Sequence, residues 1–471
     1  MTKLELISPK SSLTENAREL WDGKFYSLLY GVNKYSTAFL ALPTIAALTP
    51  KDIEVGITDE NIDQIDFDKH IDLVGVTCNT WLAPRAYEIA DEFRRRGITV
   101  VLGGIHPSML PYEAIEHADA VVIGEAESVW SNVIEGFREN RLRPFYRSPE
   151  LPKLEDLPVP RWDLLKNRRY FYHTIQTTKG CPYDCEFCTV KAMSGGRYRY
   201  KPVKDTIKEM ETLLDIEKKL FFFVDDNFIG NRKHTKELLR ELISLKIVYF
   251  AQVSLNLARD EELLSLLAES GCRKVIIGFE SLINANLKQM GKDKFYKVEQ
   301  YTEDIMKIQS LGIEIQGSFM FGCDFDDETV FQKTVDFIKN ANLCAVTLSI
   351  LTPFPGTSLF RRFDKEGRLL YNDWRKYDGR QVCFKPKLMS PETLQNGYNW
   401  TLQQVNSYES IFKRLKGVWS LWNKNNVRLQ DRISPIIVNL VINDVARSLP
   451  EATHPEEFRE SIVQKISEVK T

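Results

Sequence analysis

The chain holds 471 residues with a formal net charge of −2 and 43% hydrophobic residues, an ordinary globular composition with room for about three domains. The near-zero charge excludes bulk attraction to nucleic acid, and no apolar run approaches the ~20 residues that cross a bilayer. Met1-Thr2-Lys3-Leu4-Glu5 does not open a signal peptide, and eight cysteines with three in one tight cluster suit a reducing compartment. The expected location is therefore the cytoplasm.

Residues 3–140 alternate two signals. Short apolar runs at 3–7, 53–56, 71–76, 99–102 and 120–123 predict strands, and 40–48, 83–96 and 112–117 carry helical spacing. This alternation predicts an α/β fold with a doubly wound, Rossmann-like parallel sheet, whose ligands bind beyond the carboxyl ends of the strands. The residues there are small and polar: Thr77-Cys78-Asn79-Thr80, Gly103-Gly104-Ile105-His106-Pro107 and Gly124-Glu125-Ala126-Glu127. Glycines in such places let the backbone approach a bulky ligand closely. No GxGxxG joins the first strand to a helix, so a dinucleotide site is not expected. Residues 148–168 follow with Pro149, Pro152, Pro158 and Pro160, an extended linker.

The strand–helix rhythm then resumes with a longer period. Predicted strands are 173–178, 220–224, 248–255, 274–277, 313–321 and 345–350; predicted helices are 203–216, 235–245, 260–269, 301–311 and 329–340. Six such units predict a parallel barrel or partial barrel, with its chemistry at the carboxyl ends of the strands. Just after the first strand stands Gly180-Cys181-Pro182-Tyr183-Asp184-Cys185-Glu186-Phe187-Cys188. Three thiolates can hold three corners of an iron–sulfur cube and leave one iron open. A zinc knot is the competing reading, but zinc takes four ligands and no fourth Cys or His lies close by.

The spacing Cys181-x-x-x-Cys185-x-x-Cys188, with Phe187 before the last cysteine, resembles the signature of the radical S-adenosylmethionine (SAM) superfamily. The resemblance implies a 4Fe-4S cluster on Cys181, Cys185 and Cys188, a six-unit partial (β/α) barrel, and one-electron cleavage of SAM to methionine and a 5′-deoxyadenosyl radical. It also implies roles at the strand ends. Asp225 and Asp226 stand where the family binds the SAM amino group. Gln252, Ser254 and Asn256 fall on one face of the third strand, toward ribose or carboxylate. Glu280, in Gly278-Phe279-Glu280-Ser281, is an acceptor for SAM. Each also has a plain alternative: a helix cap at Asp225-Asp226-Asn227, a salt bridge at Glu280. Lys179 stands before Gly-Cys where relatives frequently carry arginine.

Residues 1–147 resemble the cobalamin-binding domain upstream of many such modules, on the Gly-Gly-Ile-His-Pro and Gly-Glu-Ala-Glu segments. Thr77, Asn79, Gly103, Gly104, His106, Gly124 and Glu125 are the cofactor-binding residues this implies, with residues 77–81 toward the lower face of cobalt. The Asp-x-His-x-x-Gly motif that supplies an axial histidine in related domains is absent, so cobalt is expected to lack a histidine ligand.

Residues 169–360 are thus expected to be the radical SAM core, and 361–471 a helical segment capping the substrate. Within the latter, Ile411 to Lys424 mixes bases with aromatics and reads either as a helix packed on the barrel or as an interfacial helix touching a membrane. A further helix is predicted over 433–445. The resemblance implies a cobalamin-dependent methyltransferase acting on an unactivated carbon of a small molecule, tetrapyrrole or lipid, re-reduced by a partner such as flavodoxin or ferredoxin. A cyclase or carbon–carbon bond-forming enzyme with the same cofactors is the near alternative; a structural metal protein or iron–sulfur electron carrier is the distant one.

Overall fold

The computed structural model describes residues 1–10, 38–217, 220–425 and 427–428. Strands β1 (Thr2–Ser8), β2 (Ile53–Asp59), β3 (Leu73–Thr77), β4 (Thr99–Gly103), β5 (Ala120–Ile123) and β6 (Phe145–Arg147) form a parallel sheet in the order β2-β1-β3-β4-β5-β6. Alternation along β3 shows why its strand is continuously apolar. Val74 and Val76 pack on helix α2 (Ala83–Arg95) through Ala86, Ile89, Ala90 and Phe93. Leu73 faces the other way, into a cluster with helix α1 (Ala41–Leu48) and helix α5 (Trp130–Arg138). The chain order reverses between β1 and β3, the point where open α/β sheets bind ligands. Two short helices, α3 (Ile105–Met109) and α4 (Pro111–Ala114), replace the single helix predicted at 112–117. Helix α5 and β6 were not among the predicted elements.

The second sheet has the order β14-β13-β12-β11-β10-β7: β7 (Tyr172–Ile175), β10 (Leu220–Phe223), β11 (Tyr249–Val253), β12 (Cys272–Glu280), β13 (Glu314–Phe321) and β14 (Ala345–Ile350). Every neighbouring pair is parallel. Its two edge strands do not pair, so this is a partial barrel, as the six-unit count predicts. The strand predicted at 173–178 breaks after Ile175. Beyond the break, β8 (Thr178–Lys179) pairs antiparallel with β9 (Arg199–Tyr200) and brackets the cysteine loop and helix α6 (Thr189–Ser194). The barrel is sealed by ring packing, including Phe279 stacked on Phe319 with centroids 5.3 Å apart.

Helix α7 (Val203–Ile216) follows the ribbon, and the C-terminal part contributes α8 (Ser358–Lys365), α9 (Pro391–Asn406) and α10 (Tyr408–Lys424). In α10, Ile411, Arg414, Val418 and Trp422 form a buried stripe at helical spacing, and Trp422 Nε1 donates to the Gln309 carbonyl at 3.0 Å. This face is spent on the barrel; Tyr408 and Phe412 remain exposed. Among the described residues no helix is long and apolar enough to cross a membrane. The helix predicted at 433–445 lies outside the described residues.

Candidate active site

The cysteine loop is held from below by the end of β10. Asp225 Oδ1 accepts hydrogen bonds from Thr177 N at 2.8 Å, Thr177 Oγ1 at 3.1 Å, Thr178 Oγ1 at 2.7 Å and the Thr178 amide. These amides turn to a carboxylate instead of continuing the ladder, which explains the broken strand. Burial raises the Asp225 carboxyl to about 6, and its Oδ2 is buried without a partner. Asp226 Oδ2 accepts from Gly180 N at 2.8 Å. Gly180 itself has φ +88°, and a Cβ there would stand 2.0 Å from the Arg197 carbonyl oxygen, so only glycine fits.

From above, α8 clamps the loop. Leu359 N donates to the Glu186 carbonyl at 2.9 Å, and the Arg362 guanidinium donates to the Glu186 carboxylate at 2.9 and 3.2 Å. From the side, Tyr183 OH donates to Ser254 Oγ at 3.3 Å and accepts from Asn256 Nδ2 at 3.1 Å. Gln252 is half-buried on β11, which ends at Val253; Ser254 follows the strand and Asn256 lies in a 3-10 turn (Leu255–Arg259), so the three do not share one strand face as expected.

The three thiols of this loop are half-buried, whereas the other five cysteines are buried in the core. Burial pushes Cys185 up to about 12 and Cys188 to about 11, opposed by the Lys292 ammonium. Each is also raised by a neighbouring thiol of the loop. Lys292 was not singled out from the sequence. It is half-buried, its Nζ donating to the Glu280 carboxylate and, at 3.2 Å, to the Gly278 carbonyl, and it lies over the rings of Tyr296 and Phe187. Glu280 holds φ +64° where the β12–β13 register shifts, a backbone conformation costing a non-glycine residue about 1–3 kcal/mol. No spacing marks Lys292; the turn at Gly291 brings it there, within 3.2 Å of the Asp184 carbonyl for a Cβ at that glycine.

Thr77, Asn79, Gly103, Gly104, Gly124 and Glu125 line one cavity of about 350 Å³. Its other walls are linker residues Leu154, Leu157, Pro158 and Pro160 and the barrel's Gln176, Lys179 and Val224. A Cβ on Gly104, at φ +100°, would lie 2.7 Å from the Cys78 carbonyl, while a Cβ on Gly124 would meet nothing within 4 Å. His106 is placed elsewhere. It is fully buried beside Trp374, with Nε2 3.1 Å from Glu113, whose carboxylate also accepts from Tyr87 OH at 2.9 Å and Trp374 Nε1 at 3.0 Å. That knot fastens the C-terminal segment to the N-terminal sheet.

Four charges join the two halves. Lys179 bonds Glu127, and Glu125 at 3.2 Å; Arg199 bonds the Glu125 carboxylate and the Pro152 carbonyl, the latter at 2.7 Å. Burial opposes ionisation of this group, yet the pairing holds Glu127 below the usual carboxylate range and Lys179 above its ordinary value. Two further cavities flank it. One, of about 650 Å³, is shared by Gly124 and Glu125 with Cys185 and Cys188. The other, of about 390 Å³ and largely apolar, lies between Asn79, Trp81 and Ile105 and the barrel's Phe187, Met320 and Phe354.

The sequence matches the radical SAM superfamily over residues 175–338 and the B12-binding domain over residues 39–134; residues 357–445 match a domain of unknown function. Bacteriochlorophyllide d C-8(2)-methyltransferase from Chlorobaculum tepidum is 32% identical over 80% of this chain and 87% of its own length. The chain belongs to the cobalamin-dependent radical SAM methyltransferase family. A second member, bacteriochlorophyllide d C-12(1)-methyltransferase from the same organism, is 33% identical over 80% of this chain and 84% of its own. The radical SAM methyltransferase TsrM from Kitasatospora setae, solved with cobalamin and a [4Fe-4S] cluster bound, matches over 100% of both chains with a TM-score of 0.65 at 17% identity, a likeness of fold.

The residues present fit the family's groups. Three half-buried thiols on one loop are the donor set that a 4Fe-4S cube takes, one thiolate to each of three irons. The open space beyond Gly124 and the close backbone approach at Gly104 fit a bulky flat ligand over the strand ends. With His106 engaged by Glu113, the fit includes no histidine ligand from this residue.

Proposed function

We propose that this chain methylates an unactivated carbon of an apolar small molecule, with a tetrapyrrole the favoured class and a lipid the alternative. The observation that carries the proposal is the shared cavity in which Gly124 and Glu125 of the N-terminal sheet face Cys185 and Cys188. When bound, the 4Fe-4S cluster, SAM and cobalamin supply one-electron cleavage and a transferable methyl group.

The chain's own residues position and exclude. Cys181, Cys185 and Cys188 would hold the cluster on a loop fixed by Asp225, Asp226 and Arg362. The Lys292 ammonium faces the loop with Glu280 as counter-ion, lowering the cost of thiolate charge there. Ser254, Gln252 and Glu280 offer polar atoms at the strand ends for SAM, with Phe187 beside them. Thr77, Asn79, Gly103, Gly104 and Gly124 would cradle the corrinoid. The apolar cavity between Trp81, Phe354 and Phe187 suits a flat, water-poor substrate, and the two bacteriochlorophyllide methyltransferases among its relatives support a tetrapyrrole.

The test is anaerobic turnover with methyl-labelled SAM and a chlorophyllide acceptor. Label in the recovered pigment is the expected result. Label retained in methionine, with 5′-deoxyadenosine formed and the pigment altered but unlabelled, would favour ring formation over methyl transfer.

A further inference from the structure

One feature of the shared cavity is not used by the proposed function. The 650 Å³ cavity is lined, among others, by Arg147 at the end of β6, Arg197 after α6, and Arg361 on α8. All three are exposed and, among the described residues, none has a carboxylate partner: Arg361 donates to the Gly356 carbonyl at 2.9 Å and Ser358 Oγ at 3.1 Å. The neighbouring Lys191 is neutralised by Asp184, and Glu186 by Arg362. Glu125 is paired with Lys179 and Arg199, so among the described residues Glu150 remains as the unpaired acid of this lining and two positive charges stand in excess, on a chain whose net charge is −2. The excess is therefore local. It is also assembled from three separate parts of the chain, and it lines the same cavity as Cys185 and Cys188.

We propose that Arg147, Arg197 and Arg361 form the docking surface for a small acidic electron-carrier protein that reduces the cluster, an inference that rests on the proposed function. The step moves one electron: the carrier is oxidised by one electron, the cluster is reduced by one, and no atom is transferred. Charge complementarity selects the partner. An acidic protein is drawn to unneutralised arginines and oriented by them, a steering effect that shows mainly in association rate and salt dependence. Guanidinium groups suit the task because they engage carboxylates bidentately.

The probe is flavodoxin, used with the full-length protein. Binding of flavodoxin should be at least about tenfold weaker to a triple R147E/R197E/R361E variant than to the parent, and the parent's affinity should fall steeply between about 0.05 M and about 0.5 M salt while the variant's does not. The R147E/R197E pair, which breaks no intramolecular bond, should show most of the effect. In parallel, 5′-deoxyadenosine formation driven by reduced flavodoxin should drop at least about tenfold in the variant, while formation driven by dithionite stays unchanged. Equal flavodoxin affinity in parent and variant overturns the proposal. So does an equal loss with both reductants, which would assign the arginines to an anionic small molecule instead. If dithionite drives no SAM cleavage in the parent, the proposed function fails, and the binding measurement alone still decides the docking surface.

Discussion

Replacing Lys179 by methionine removes the cation between the two halves of the site. The Lys179 side chain is 20% exposed and those of Glu125 and Glu127 are 10%. Deleting one partner of a buried pair costs about 3–5 kcal/mol, because the remaining charge is left uncompensated. Arg199 still balances Glu125, so the lower end applies, about 3 kcal/mol, and most of it falls on Glu127. Urea unfolding followed by tryptophan fluorescence would measure it. The pH dependence carries a sign. Glu127 is held below its unfolded value, so its share is present above that value and is lost as pH falls. Lys179 is held above its unfolded value, so its share is present below that value and is lost as pH rises through the alkaline range. Lys179→Met should flatten both limbs. A Glu127→Gln/Lys179→Met double variant should recover at least about 1 kcal/mol relative to additivity. A Lys179→Met variant within about 0.5 kcal/mol of the parent, or strict additivity, would refute the view that this cluster couples the halves.

Gly124→Ala should cost only about 1–2 kcal/mol for its φ of +88°, yet weaken corrinoid retention on gel filtration at least about tenfold, because its Cβ would enter the cavity. His106→Phe should leave the visible spectrum of the corrinoid-loaded protein unchanged while lowering stability by about 2–3 kcal/mol through the loss of the buried bond to Glu113; a spectral shift would assign the histidine to cobalt. Asp225 is raised from 3.8 to about 6 by burial, so its share of the stability should fall by about 3 kcal/mol between pH ~4 and pH ~6, where the unfolded chain has released the proton that the folded state still holds. Asp225→Asn should abolish that slope, read from urea midpoints across the range.

Much of this architecture was legible because both sheets are parallel and doubly buried, so their strands read as continuous apolar runs. Helix α5 was missed although Trp130, Val133, Ile134 and Phe137 carry its stripe, and β6 was too short to show a period. The cysteine loop was legible from spacing alone. Its supports were less so. The resemblance places Asp225 and Asp226 beside the SAM amino group; that their carboxylates also bond the backbone of Thr177, Thr178 and Gly180 depends on where β10 ends. Lys179 was noted only for not being arginine; its partners Glu125 and Glu127 lie more than fifty residues away and meet it only after the two sheets have docked. Lys292 escaped for the same reason. His106 stood in a motif whose glycines line the cavity, but the first turn of α3 carries its ring out of that lining and onto Glu113.

The central claim is that one loop of three cysteines and one row of glycine-bearing strand ends serve a single site. Metal analysis of anaerobically prepared, corrinoid-loaded protein tests it most directly. The account predicts about four irons, about four sulfides and about one cobalt per chain, with the iron lost from Cys185→Ala and the cobalt retained. Zinc in place of iron, or iron that survives the loss of Cys185, would contradict it.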